Sequence, residues 1–122
     1  MKRVMIADDS LFQRKSLKKL VEALRGIVVA EATNGAEAVE LYPLFKPDIV
    51  LMDIMMPEME GTEAIRAIIE TDPHAVIIVI SSLAHRELVE EALSLGAKWY
   101  IEKPFDFGAA ADALRPFIGE KL

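Results

Sequence analysis

The stretch Lys46-Pro47-Asp48-Ile49-Val50-Leu51-Met52-Asp53-Ile54-Met55-Met56-Pro57-Glu58-Met59-Glu60-Gly61 decides how this chain folds. Residues 49–52 form a continuous apolar run, too short for a helix and without the alternation of a half-exposed strand. Strands covered on both faces read this way, and they belong to parallel sheets packed between helices. The run stops at Asp53 with no polar lead-out, and the Ile-Met-Met-Pro that follows is no ordinary turn sequence. An acid therefore stands at the mouth of a buried strand.

Four further apolar runs flank this one, at residues 4–7, 27–32, 76–80 and 99–101. Between them the apolar residues recur at helical spacing: Leu17, Leu20, Val21 and Leu24; Ile65, Ile68 and Ile69; Leu88, Val89, Ala92 and Leu93; and Phe107, Ala110, Ala111, Leu114 and Ile118. Ser10 with Gln13, and Asn34 with Glu37, have capping-box spacing. Thr62 and Asp106 fit N-caps, and Gly26 and Gly96 stand where helices should stop. Pro43 lacks an N–H and should end or kink the second helix. Trp99 reads as core or helix packing. Strand and helix alternating five times give an α/β domain, a doubly wound parallel sheet between two helical layers.

A length of 122 residues allows one domain, spanning 1–122, with no output domain expected beyond it. Half the residues are apolar and about a quarter charged, as in a soluble globule. No run approaches the roughly 20 residues of a membrane span, and Asp8-Asp9 interrupts any secretory leader. Cysteine is absent, so disulfide and thiol chemistry are excluded and the cytoplasm is the expected compartment. The net charge of −6 disfavours direct nucleic-acid binding.

In such sheets ligands bind beyond the carboxyl ends of the strands, where strand order reverses. The first run ends in Asp8-Asp9, the third in Asp53, the fourth in Ser81-Ser82 and the fifth in Glu102-Lys103-Pro104. Each has an ordinary reading: helix-start charge for Asp8-Asp9, a turn for Asp53 and for Ser81, a solvated lysine for Lys103. Their joint occurrence at one sheet edge argues for chemistry instead. Three neighbouring carboxylates repel one another unless a cation joins them, and oxygen ligands suit Mg2+. With Mg2+ and Lys103 neutralising an incoming phosphoryl group and Ser81 donating to it, Asp53 becomes a carboxylate nucleophile able to form an acyl phosphate.

The chain resembles the receiver domains of response regulators in two-component systems, and is most similar to stand-alone chemotaxis regulators. The resemblance spans essentially the whole chain. It rests on Asp8-Asp9-Ser10, the stretch from Lys46 to Gly61, Ser81, Gly96-Ala97 and Lys103-Pro104-Phe105. It implies a flavodoxin-like (βα)5 fold with strand order 2-1-3-4-5; a chemotaxis receiver is itself a standard illustration of the switch-point rule. It also implies a phosphoprotein that catalyses its own phosphorylation and dephosphorylation without being an enzyme in the usual sense. Asp53 matches the phosphoacceptor, which takes its phosphoryl group from the phosphohistidine of a histidine kinase. Asp8, Asp9 and Asp53, with the backbone carbonyl of Met55, match the Mg2+ site. Ser81 and Tyr100 match the switch pair, and Lys103 the lysine that contacts the phosphoryl group, with a cis bond to Pro104.

The resemblance further places the effector-binding surface on the fourth helix, fifth strand and fifth helix, carrying Arg86, Glu90, Lys98, Tyr100 and Glu102. It is compatible with a monomer or a phosphorylation-dependent dimer. The positions two past Asp53 and two past Ser81, Met55 and Leu83, are apolar and offer nothing to orient a hydrolytic water, which implies slow self-dephosphorylation. The same residues leave four alternatives: a receiver cut from a larger regulator, an aspartyl-nucleophile phosphohydrolase, a flavodoxin-like cofactor binder, and a receiver that no longer accepts phosphate and acts only by protein contacts. The hydrolase needs an acid where Met55 stands, and Asp8-Asp9 would repel a flavin phosphate. A receiver that acts without accepting phosphate has nothing missing to recommend it.

Overall fold

The computed structural model describes residues 1–119. The elements alternate as β1 (Arg3–Ala7), α1 (Leu11–Ala23), β2 (Ile27–Ala32), α2 (Gly35–Phe45), β3 (Ile49–Asp53) and α3 (Gly61–Thr71). There follow β4 (Ile77–Ser82), a short 3-10 turn (Leu83–His85), α4 (Arg86–Leu95), β5 (Trp99–Lys103) and α5 (Phe107–Ile118). All strand pairs are parallel, in the order β2-β1-β3-β4-β5. This is the doubly wound parallel sheet expected from the alternation, in the flavodoxin-like strand order that the family resemblance implies.

The order explains the composition of the strands. β1, β3 and β4 lie inside the sheet and are buried along nearly their whole length, so they carry almost only apolar side chains. β2 and β5 are edges and are only partly covered. Alternate residues of the inner strands feed two cores. Met5, Val50, Met52, Ile77 and Val79 pack on one face with Ile65 and Ile68 of α3. Val4, Ile6, Leu51, Ile78 and Ile80 pack on the other with Leu17 and Leu20 of α1 and Leu114 of α5.

Three helix starts are capped as expected: Ser10 accepts from the Gln13 N–H, Asn34 from Glu37, and Asp106 from Ala109. Glu37 reaches back to the Thr33 N–H rather than to that of Asn34. Elsewhere the local expectations fail for tertiary reasons. α3 starts at Gly61 with Glu60 as cap, so Thr62 lies buried within the first turn. α2 runs two residues past Pro43 to Phe45 before the left-handed Lys46 (φ 45°) stops it. α1 does stop before Gly26, whose N–H closes the helix on the Val21 carbonyl at 2.9 Å, with the positive φ on Arg25 (65°) and the glycine itself needed for space. A Cβ on Gly26 would stand 2.8 Å from Val21 and 2.9 Å from Ile118 of α5. Trp99 and Phe107, expected to be packed, are about half exposed, because β5 is an edge strand and Phe107 opens its helix.

Candidate functional site

The strand ladder delivers the polar residues to one edge. Ala7 pairs with Met52, which sets Asp8 beside Asp53 across the gap where the chain order reverses. Asp53 pairs with Ile80, and Ser82 with Lys103, so Ser81 and Lys103 arrive on the next two strands. Asp53, Ser81 and Lys103 are residues of the strands themselves, not of the loops beyond them. Their backbones are therefore fixed by the sheet.

Asp8, Asp53 and Ser81 are buried, and Asp9 is exposed. The carboxylates of Asp8, Asp9 and Asp53 each offer an oxygen within 4.8 Å of the others. Lys103 reaches between two of them, its Nζ 3.4 Å from Asp8 Oδ2 and 3.2 Å from Asp53 Oδ2. Asp8 Oδ1 accepts from the Ser10 N–H at 2.9 Å, and Asp53 Oδ1 takes a long bond, 3.4 Å, from Met55 N–H. Burial raises the Asp53 carboxyl above its ordinary 3.8; Lys103 pulls it down, and the Asp8 carboxylate pushes it up again. One ammonium thus faces three carboxylates. A hard, all-oxygen donor set with excess negative charge fits a divalent cation of the Mg2+ class.

Ser81 stands at the same edge, yet among the described residues its hydroxyl makes a single long bond, to the Ser82 carbonyl at 3.4 Å, and none to the acids. Tyr100 lies on β5, paired with Val79 of β4. With Ser81, Ser82, Val89, Leu93 and Glu102 it lines a groove of about 320 Å³ between β4, β5 and α4, and its ring sits 5.2 Å from that of Trp99. Arg86, Glu90, Lys98 and Glu102 are exposed around it. Met55 is exposed beside Asp53; the side chain of Leu83 lies outside the described part of the structure. The Lys103–Pro104 bond is cis.

Two contributors are given no role at the site by the sequence reading. Gly61 opens α3 with its N–H on the Ile54 carbonyl at 2.7 Å. A Cβ there would lie 2.5 Å from the Asp53 carbonyl oxygen, so only glycine lets the β3–α3 loop close behind Asp53. The spacing from Asp53 is the one hint the sequence offers. Arg14, in a lysine-rich helix, has its guanidinium turned inward onto the Asp8 carbonyl.

A five-stranded 2-1-3-4-5 sheet with an acid cluster and a lysine at its switch point is the arrangement of a receiver-type α/β module, with its polar site beyond the carboxyl ends of the strands. The chain belongs to the response regulator receiver domain family, whose model matches residues 4–115. It is 50% identical to the chemotaxis protein CheY of Thermotoga maritima over 113 residues, 93% of this chain and 94% of that protein. CheY in the crystal structure of the CheX–CheY–BeF3–Mg2+ complex of Borrelia burgdorferi superposes with a TM-score of 0.89 at 34% identity, covering 98% of this chain and 90% of that one. The response regulator domain of Thermotoga maritima CheB gives 0.86 at 34% identity, covering 100% and 99%. CheY-like receivers of this kind are signalling switches rather than classical enzymes.

Proposed function

We propose that the protein is a chemotaxis-type switch that accepts a phosphoryl group on Asp53 from a histidine kinase. The observation that carries this reading is the Asp8–Asp9–Asp53 cluster with Lys103 between two of its acids. Asp8, Asp9, Asp53 and the Met55 carbonyl would hold Mg2+, which supplies charge neutralisation at the phosphoryl oxygens. Asp53 attacks phosphorus through a carboxylate oxygen, the phosphohistidine nitrogen leaves, and Lys103 draws one phosphoryl oxygen toward its Nζ. Ser81 then turns to the phosphoryl group, Tyr100 moves into the groove it borders, and the α4-β5-α5 face changes shape for a downstream effector. The domain works in the cytoplasm, as a monomer or a phosphorylation-dependent dimer, as one unit over residues 1–122. Among the described residues no helix is long and apolar enough to cross a membrane. The same module serving inside a larger regulator is the second reading, supported by a 42% identical methylesterase of Rhodospirillum rubrum of which this chain covers 28%.

Incubation with Mg2+ and acetyl phosphate tests the proposal. The intact mass should rise by one phosphoryl group in the wild type and not in Asp53→Asn. No gain in the wild type, with or without a histidine kinase, ends this reading. In the same assay the acyl phosphate should decay faster in the Met55→Asn, Leu83→Glu double variant, since polar groups there can orient water. An unchanged half-life removes the proposed role of the two apolar residues.

A further inference from the structure

The acid pair has an unusual support. Every polar group of Asp8 is assigned: its N–H donates to the Ala32 carbonyl of β2 at 3.0 Å, and its carboxylate meets Ser10 N–H and Lys103. Its backbone carbonyl accepts from Nη1 of Arg14 at 2.7 Å. That carbonyl belongs to the peptide joining Asp8 to Asp9. The Arg14 side chain is only 12% exposed, and its Nε donates to Glu31 of β2 at 3.0 Å. Arg14 therefore fastens the Asp8–Asp9 peptide to α1 and to the end of β2 at once. Asp9 has no hydrogen bond or ion pair of its own among the described residues, so its backbone alone aims its carboxylate.

We propose that Arg14 is a positioning residue for the divalent-cation site: it fixes the Asp8–Asp9 peptide plane so that the Asp9 carboxylate faces those of Asp8 and Asp53. The inference rests on the phosphoacceptor reading above and adds to it a cationic residue that favours cation binding. Coulomb's law alone gives the opposite sign, since an arginine near a cation site repels Mg2+. Glu31 offsets that repulsion by pairing with the guanidinium, leaving the geometric effect to dominate. The planar fork matters: it serves two acceptors at a fixed angle, which a lysine ammonium does not.

The test is calorimetric titration of Mg2+ alone into the wild type, Arg14→Gln and Arg14→Lys, with far-UV circular dichroism on each. Residues supporting metal ligands typically change affinity by roughly tenfold or more, so Arg14→Gln should weaken Mg2+ binding about tenfold. Arg14→Lys keeps the charge and loses the fork, and should weaken it about threefold. A purely electrostatic Arg14 leaves the lysine variant unchanged and tightens the glutamine variant; that pattern overturns the proposal. Should Arg14→Gln fail to fold, Arg14→Lys decides, and wild-type affinity in that variant overturns it. A wild type that takes up no Mg2+ fails the phosphoacceptor reading itself and carries this inference with it. A wild type that binds while both variants bind equally well fails the Arg14 role alone.

Discussion

The two ends of the sheet are built from the same kinds of residue and behave differently. At the amino ends of the strands Arg3, Asp48 and Asp72 each find a local partner. Asp48 accepts from the Arg3 N–H at 2.8 Å and donates its own N–H to the Arg3 carbonyl at 2.7 Å. The Arg3 guanidinium closes on the Lys46 carbonyl, and the Tyr42 hydroxyl donates to Asp72 at 2.7 Å. Burial and the neighbouring Asp72 carboxylate raise the Tyr42 hydroxyl, while its hydrogen bond lowers the Asp72 carboxyl below the usual carboxylate range. At the carboxyl ends three carboxylates face one lysine and the Asp53 carboxyl is raised. The matched end helps hold the fold together; the unmatched end carries negative charge in excess of its one lysine.

The largest break in this contrast should come from Lys103→Met. It removes the one ammonium touching Asp8 and Asp53, of which Asp8 is almost wholly buried. Urea denaturation in EDTA should show a loss of about 2–3 kcal/mol, reduced from the fully buried case by the partial exposure of Lys103. A stability equal to that of the wild type would mean the carboxyl end is already balanced. Asp53→Asn should act in the opposite direction, adding on the order of 1 kcal/mol to the metal-free protein at neutral pH by relieving repulsion.

The pH dependence sharpens the same point. Because the folded Asp53 carboxyl is raised, its favourable contribution is complete below 3.8 and is lost as pH rises through the folded value. Asp72 is lowered, so its contribution is present above 3.8 and is lost as pH falls through its folded value. Denaturation midpoints in EDTA across pH 4 to 7 (a window of about three units) should therefore fall less steeply in Asp53→Asn than in the wild type. Parallel curves would remove the claim that Asp53 is strained by its surroundings. The smallest effect belongs to the matched end: Asp48→Ala should cost about 1 kcal/mol or less and leave phosphoryl uptake unchanged. Altered uptake would show that the two ends are coupled through β3.

The fold was legible because its signal is hydrophobic. Residues 49–52 read as a buried strand since parallel strands between helical layers have no polar face, and β1 and β4 read the same way. The site was legible as a set of polar residues ending apolar runs. What the run could not show is that pairing continues past it. Ser81 and Lys103 are strand residues because backbone hydrogen bonding, indifferent to side-chain polarity, extends β4 and β5 beyond their apolar part. Cap and turn chemistry was readable where a side chain meets its own helix, as at Asn34 and Asp106. It misled at Thr62, which lies buried inside the first turn of α3 instead of capping it.

By itself, then, the sequence determined five buried or half-buried strands, the helices between them, and an acid, a hydroxyl or a lysine at four strand ends. Those features are local, set by periodicity and by where an apolar run stops. Only the tertiary structure decided which oxygens share one site, that Lys103 lies between Asp8 and Asp53, and that Gly61 and Arg14 fix the backbone behind the acids. Those are contacts across strands, and in a parallel sheet residues adjacent in space are separated in the chain by a whole crossover helix.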